Sequence, residues 1–187
     1  MAVEIEAKLK VDSLAKIEKK LKKLGAAFLK EIIQRDYYLD DAKMSLTRTD
    51  RCLRLREEFA DKSSKAILEY KGERKHGKFK KRLEVQTVVL DAQSVREMFA
   101  AIGYSEILIY EKKRRLWAYG GCEICLDELP FLGNFIEIEG DSEKRIAKVQ
   151  KEFGLSALPH IKESYATLME KKLRLLGSEK KEVFLKD

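Results

Sequence analysis

The sequence predicts an α+β fold: a closed eight-stranded antiparallel β-barrel, built from two β-α-β-β-β halves and flanked by helices. Three observations carry this. A strand–helix–strand pattern occurs twice with matching helix start and stop signals, strand-like runs alternate apolar and charged residues with a period of two, and the polar positions of those runs are almost all ionisable. An ordinary half-solvated sheet shows mixed Ser, Thr, Gln and Asn to water. A sheet that curls closed with its charged face inward gathers those charges into one lumen and leaves its apolar face for helices to cover.

The first half opens at 3–10 with Val-Glu-Ile-Glu-Ala-Lys-Leu-Lys. In an extended strand Glu4, Glu6 and Lys8 share one face, and Val3, Ile5, Ala7 and Leu9 take the other. Two carboxylates about 7 Å apart along a strand can hold a hard divalent cation, and the lysine beside them a phosphate. A helix then opens at Val11-Asp12-Ser13, with Asp12 suited to the N-cap, and stops at Leu24-Gly25. Leu14, Ile17, Leu21 and Leu24 form its apolar stripe; Lys19, Lys20, Lys22 and Lys23 form its solvated face. A long strand runs through Tyr38, followed by strands at 51–59, where Arg54 and Arg56 share a face, and at 65–72, where Glu69 and Lys71 do. Residues 72–80 read as a basic, glycine-flanked, mobile loop around His76.

The second half repeats the order. A strand at 82–89 sets Arg82 and Glu84 on one face, and a helix runs from Leu90-Asp91-Ala92 to Ile102-Gly103 with Val95, Met98, Phe99 and Ile102 as its stripe. A long strand through Tyr119 aligns Lys112 with Arg114, while its Trp117 and Tyr119 pack under helices. Strands at 121–127 and 134–140 follow, the first ending at Asp127 and the second aligning Glu137 with Glu139. Helices at 142–153 and 161–176 complete a single domain, 1–176, with 177–187 as a frayed, charged tail. On the last helix Ser164-Tyr165 reads as core packing, with a plug at one barrel end as the alternative.

Composition narrows the classes. With 44% apolar and 38% charged residues, 187 residues can bury a full core and read as a soluble cytoplasmic protein. No run of about 18 apolar residues spans a membrane, and no basic-then-apolar leader precedes the first strand. A net charge of +7 favours polyanions as partners over cations. Cys122 and Cys125 form a C-x-x-C, but in a strand positions three apart face opposite sides, and no second pair completes a zinc site. These cysteines, with Cys52, read as reduced structural thiols.

The charges segregate by strand: carboxylates on the strands of Glu4 and Glu137, cations on those of Arg54, Lys71 and Lys112. Such a lumen suits a metal-bound polyphosphate, Mg²⁺ or Mn²⁺ on the acids and phosphate oxygens on the cations. In order along the chain, Glu4-x-Glu6-x-Lys8, Gln34-x-Asp36-x-Tyr38, Leu53-Arg54-Leu55-Arg56, Tyr70-Lys71-Gly72, Arg82-x-Glu84, Lys112-x-Arg114 and Asp127 with Gly133-x-Phe135-x-Glu137-x-Glu139 resemble the CYTH superfamily. These are the triphosphate tunnel metalloenzymes, which include class IV adenylyl cyclases and thiamine triphosphatases. The likeness runs from residue 3 to about 140, and its fold agrees with the closed sheet argued above.

The resemblance implies that Glu4, Glu6, Asp127, Glu137 and Glu139 share metal ions, Mg²⁺ or Mn²⁺. It implies that Lys8, Arg54, Arg56, Lys71, Arg82, Lys112 and Arg114 bind the triphosphate, that Glu84 supports a cation or the metal, and that Tyr38 transfers a proton with Lys112. Hydrolysis of a triphosphate (inorganic triphosphate, ATP or thiamine triphosphate) is the leading expectation. Cyclisation of ATP to cyclic AMP and pyrophosphate is the alternative; the chain lacks the His/Phe-containing lead-in of the best-known class IV cyclases, and no adenine pocket is legible. A non-catalytic polyphosphate or nucleotide binder would need the cations but not five converging carboxylates. A double-stranded nucleic-acid partner is disfavoured because no recognition helix appears. A homodimer stays open.

Overall fold

The computed structural model describes residues 2–61, 63–75 and 79–186, with residues 2–4, 75 and 80 described by backbone alone. The first half consists of β1 (Ala2–Lys10), α1 (Leu14–Lys23), β2 (Ala27–Asp41), a short α2 (Ser45–Arg48), β3 (Cys52–Ala60) and β4 (Ser63–Lys75). The second consists of β5 (Lys80–Val89), α3 (Ala92–Ala101), β6 (Tyr104–Tyr119), β7 (Cys122–Leu129) and β8 (Gly133–Glu139). Helices α4 (Glu143–Glu152) and α5 (Tyr165–Leu175) and a two-residue β9 (Glu182–Val183) end the chain. Of the 72–80 segment read as a mobile loop, residues 72–75 extend β4, Phe79 is buried in the core and Lys80 opens β5, while residues 76–78, with His76, lie outside the described residues.

The strands hydrogen-bond in the order β2-β3-β4-β5-β1-β8-β7-β6, and an antiparallel β2–β6 pairing closes the ring. Eight antiparallel strands thus leave no open edge among themselves. The two longest strands, β2 and β6, need local bends to wrap round the barrel, and their register shifts between Phe28 and Lys30 and between Tyr38 and Leu39.

Period two sorts the strands into an inner and an outer face. On the outer face Ile5, Ala7 and Leu9 of β1 join Ile124 and Leu126 of β7 and Ile136 and Ile138 of β8 in a core roofed by α1 and α4. Leu14, Ile17 and Leu21 supply the α1 side, and Ile146 and Val149 the α4 side. Helix α1 is capped by Ser13, whose hydroxyl accepts from the Lys16 amide at 3.4 Å, rather than by Asp12. Asp91 caps α3 as expected, accepting from the Gln93 and Ser94 amides. Gly25 and Gly103, just past the ends of the two helices, take φ of +74° and +89°.

Three expectations change. The α3 stripe is not buried: Met98 and Ile102 stay about two-thirds exposed, and only Val95 packs on the Tyr37, Leu55 and Ile109 cluster. Helix α5 does not lie on the outer face. Its Tyr165, Ala166, Met169 and Leu173 pack on Tyr110, Leu129 and Phe135, which share the inner face with Lys112, Asp127 and Glu137, so α5 closes one end of the barrel. The tail is not frayed throughout. β9 pairs in parallel with β6 at Ile109 and Tyr110, on the edge that β7 leaves uncovered, and Val183 is fully buried. Removing residues 178–187 forfeits that burial, of order 1.5–3 kcal/mol. A lowered midpoint in urea unfolding is the expected result, and an unchanged midpoint would show that the tail contributes nothing to the fold.

Candidate active site

The acidic wall follows from strand neighbours. β1 pairs with β8, and β8 with β7, which sets Glu6, Glu139 and Glu123 directly opposite one another across three strands. The next row sets Lys8, Glu137 and Cys125 side by side. Like charges opposite each other on a sheet repel, so this block favours a cation. Lys8 supplies one positive charge: its Nζ stands 3.3 Å from Glu137 Oε1 and 3.9 Å from Glu6 Oε1, donates to the Glu163 carbonyl at 3.0 Å, and lies 4.0 Å above the Tyr165 ring. The oxygen-rich donor set fits a hard divalent ion such as Mg²⁺ or Mn²⁺. The backbone of Glu4 pairs with Arg82 one strand away; its side chain lies outside the described residues.

On the opposite wall two arginines are held from behind. Asp36 is fully buried and grips Arg56 at 2.6 and 2.8 Å and Arg54 at 3.2 Å. Burial alone would raise the pKa of Asp36, but Arg54 and Arg56 override it and hold the carboxyl well below the usual carboxylate range. Arg54 also pairs with Glu69, and Lys71 pairs with both Glu69 and Glu84. Arg82 donates from Nε to the Gly72 carbonyl at 2.7 Å and also to the Asp50 carbonyl. A Cβ at Gly72 would stand 3.3 Å from the Leu83 Cβ, so glycine lets β4 and β5 approach closely at that bond.

Between the walls, Arg114 makes a bidentate pair with Asp127 at 2.6 and 2.5 Å and also reaches Glu137. The Tyr165 hydroxyl donates to Asp127 at 2.9 Å, and Lys112 stands 3.7 Å from the same carboxylate and 4.9 Å from the Tyr165 ring. Burial, then the neighbouring Arg114 guanidinium, lower the Lys112 pKa to about 8 against the pull of Asp127. Tyr38 bonds the Tyr110 hydroxyl at 3.1 Å and stacks on its ring, and burial pushes its pKa up to about 12. The ring that packs against the Lys112 ammonium is that of Tyr165, from α5.

The inner walls enclose a cavity of about 470 Å³. Of the expected acids, Glu6, Glu137, Glu139 and Glu84 reach it, and so do all seven expected bases and Tyr38. Asp127 does not: it lies behind Arg114 and Tyr165 with no exposed surface. The segregation of signs holds for β1 against β8 but fails elsewhere, since Asp36, Glu69 and Asp127 sit among the cations. Sequence reading left Asp36, Glu69, Glu123, Tyr165 and Cys125 out of the site. For the strand residues the signal was parity, since Asp36 shares its face with Gln34 and Tyr38, and Cys125 with Asp127. For Tyr165 the plug of one barrel end, the alternative reading of Ser164-Tyr165, is the arrangement α5 adopts, packed at the same time in an apolar cluster.

The fold and this wall define a triphosphate-tunnel type of barrel, and sequence comparison agrees. The family model of the CYTH domain matches residues 2–166, and the chain belongs to that family. A protein of Methanocaldococcus jannaschii named "Putative adenylate cyclase" is 31% identical over 137 residues, which span 73% of this chain and 76% of its own. Among solved structures, the PH1819 protein of Pyrococcus horikoshii superposes with a TM-score of 0.79 at 28% identity, over 90% of this chain and 99% of its own. A Hippeastrum protein described as a putative adenylyl cyclase with a dominant triphosphatase activity shares the fold, with a TM-score of 0.68 at 18% identity over 90% and 95% of the two chains.

Replacing Asp36 by Asn removes the carboxylate that two buried guanidiniums share and leaves Arg54 its pair with Glu69, and breaking a buried pair costs about 3–5 kcal/mol. Because the folded pKa of Asp36 is depressed, its contribution is present above the unfolded carboxylate pKa and lost as pH falls through the folded one. Chemical denaturation between pH 5 and pH 2, below the unfolded carboxylate pKa, is expected to show a wild-type loss that the variant lacks. Equal stability of the two proteins at pH 7 would remove Asp36 as an anchor.

Proposed function

We propose that this chain hydrolyses a triphosphate-bearing small molecule with Mg²⁺ or Mn²⁺ bound at Glu6, Glu137 and Glu139, Glu4 standing on the same face of β1. The observation that carries this reading is the meeting, in one cavity inside the barrel, of a carboxylate block with seven cationic side chains. A polyanion alone would be repelled by the carboxylates, and a cation alone would leave the arginines unused.

Phosphoryl transfer asks the protein to position groups and neutralise charge. Arg54 and Arg56 present fixed guanidiniums because Asp36 orients both. Lys8, Lys71 and Arg82 hold further phosphate oxygens from the strands between the two walls. Arg114 and Lys112, steadied by Asp127, face the centre and take the charge that builds on the transferred phosphoryl group. Glu6, Glu137 and Glu139 would hold the ion, whose chemistry there would be to lower the pKa of a water and to neutralise phosphate oxygens. In this reading Asp127 anchors cations rather than the ion, and Tyr165 fixes Asp127.

Hydrolysis is favoured over cyclisation by the aromatic residues of the cavity. Among the described residues its rings are Tyr38, stacked on Tyr110, and Tyr165, which packs edge-on against Phe135 with Lys8 over its face. Each ring already carries a neighbour, Tyr110 on Tyr38 and the Lys8 ammonium on Tyr165, which leaves less aromatic surface for an adenine. The naming of the Methanocaldococcus relative favours cyclisation as the second reading.

The two readings separate by product. Purified protein with Mg²⁺ or Mn²⁺ is offered inorganic triphosphate, ATP and thiamine triphosphate in parallel. Orthophosphate from any of them supports hydrolysis, cyclic AMP with pyrophosphate from ATP replaces it by cyclisation, and silence with all three leaves a binder. Glu139→Gln is expected to abolish turnover and to raise the metal-free melting temperature, because it relieves the Glu6–Glu139–Glu123 row. Retained activity would sink the assignment of the ion.

Lys112 sets a pH limit. Its ammonium is present below about 8 and lost above it, so kcat/KM is expected to fall on the alkaline side of about pH 8. Lys112→Arg, whose guanidinium stays charged, moves that limb upward. An alkaline limb at the same pH in both proteins would assign it to another group.

A further inference from the structure

The two cysteines of Cys122-Glu-Ile-Cys125 part company in the fold. Cys122 points outward into the core under α4, beside Ile146. Cys125 points inward, is fully buried, and pairs in register with Glu137. Its Sγ, one oxygen of Glu137 and one oxygen of Glu139 all lie within 4.8 Å of one another. A fourth donor stands on the same strand and the same face: Glu123 Oε1 is 3.8 Å from the sulfur. Glu123 and Glu139 continue the like-charge row with Glu6, and the Cys125 thiol adds to those carboxylates a donor of a different kind.

The thiol changes which cation. Mg²⁺ takes oxygen ligands in octahedral geometry and gains nothing from sulfur. Zn²⁺ accepts thiolate at about 2.3 Å and carboxylate at about 2.0–2.2 Å in tetrahedral geometry. Two such donors on one ion stand roughly 3.5 Å apart, so the cluster closes onto a single ion with side-chain movement of about an ångström. We propose that Cys125, Glu137 and Glu139, with Glu123 in reach, form a site for a thiophilic divalent ion, Zn²⁺ or Cd²⁺, which displaces Mg²⁺ or Mn²⁺ and halts turnover. As the metal–sulfur bond forms, the thiol proton passes to solvent. The consequence for turnover rests on the reading of Glu137 and Glu139 as holders of the activating ion; the binding of the thiophilic ion does not.

The test titrates Cd²⁺ into the metal-free full chain and records the thiolate-to-cadmium charge-transfer absorption in the ultraviolet. The band is expected in the wild type at one equivalent, and in a Cys52→Ser/Cys122→Ser double variant that leaves Cys125 as the lone thiol. It is expected to vanish in Cys125→Ser. Losing a ligand weakens binding by no less than the roughly 10-fold that losing an outer-shell partner costs, so the half-inhibitory Zn²⁺ concentration in the Mg²⁺ assay rises at least that much in Cys125→Ser. No band in the wild type, a band that survives in Cys125→Ser, or turnover that persists at saturating Cd²⁺ overturns the proposal. The wild-type measurement needs no variant to fold. A band that follows Cys125 in a protein with no Mg²⁺-dependent turnover upholds the thiol site and overturns the hydrolase reading instead.

Discussion

The structure depends on one constraint: charges sealed inside a closed barrel must neutralise one another. Burying an unpaired ion costs several kcal/mol even after relaxation, and no domain can carry many of those. The inner face meets the constraint with two anchors, Asp36 and Asp127, each fully buried and each bonded to guanidiniums. Neither reaches the cavity. They form a buried layer that makes the next layer, Arg54, Arg56 and Arg114, tolerable and fixed in direction.

That layering separates two tasks that sequence alone merges. A carboxylate on an inward-facing position can bind an ion in the lumen or hold an arginine in place, and both look the same in the chain. The distinction lies in depth. Glu6, Glu137 and Glu139 reach the cavity, whereas Asp36 and Asp127 stand behind its wall. The orientation of the arginines is then paid for during folding, so a phosphate arriving in the cavity meets donors that need little rearrangement. Lys112, beside this layer, is the sensitive group, because burial and Arg114 depress its pKa while Asp127 and, less strongly, Glu137 oppose them.

Much of this was legible because strand parity is rigid. Reading Glu4, Glu6 and Lys8, or Arg54 and Arg56, at period two places them on one face whatever the rest of the chain does, and both halves of the barrel follow from the repeated helix signals. What parity withholds is pairing across the barrel. It could not say that Arg114 of β6 would bridge Asp127 of β7 and Glu137 of β8. It also gave no warning about the helices. The stripe of α3 is real, but the outer face of β2, β3 and β6 offers it a small cluster, Tyr37, Leu55 and Ile109, and Phe184 from the tail takes a share of that cluster. Met98 and Ile102 are left facing away. Asp12 and Ser13 are both good caps, and which of them reaches the Lys16 amide is decided by where β1 releases the chain.

The closure of one barrel end by α5 carries the last consequence. Tyr165 belongs at once to an apolar cluster with Phe135 and Leu129 and to the polar network through its bond to Asp127. Lys8 and Lys112 both lie over its ring, so a single side chain from outside the sheet borders a cation of the acidic wall and one of the pair that Asp127 holds. A tyrosine suits this place because its ring accepts cations on the face while its hydroxyl donates at the rim. The plug and the charged wall are therefore not separate features. Docking α5 completes the electrostatics of the cavity, and the buried charges of β6 and β7 in turn give α5 a polar partner that a purely apolar plug would lack.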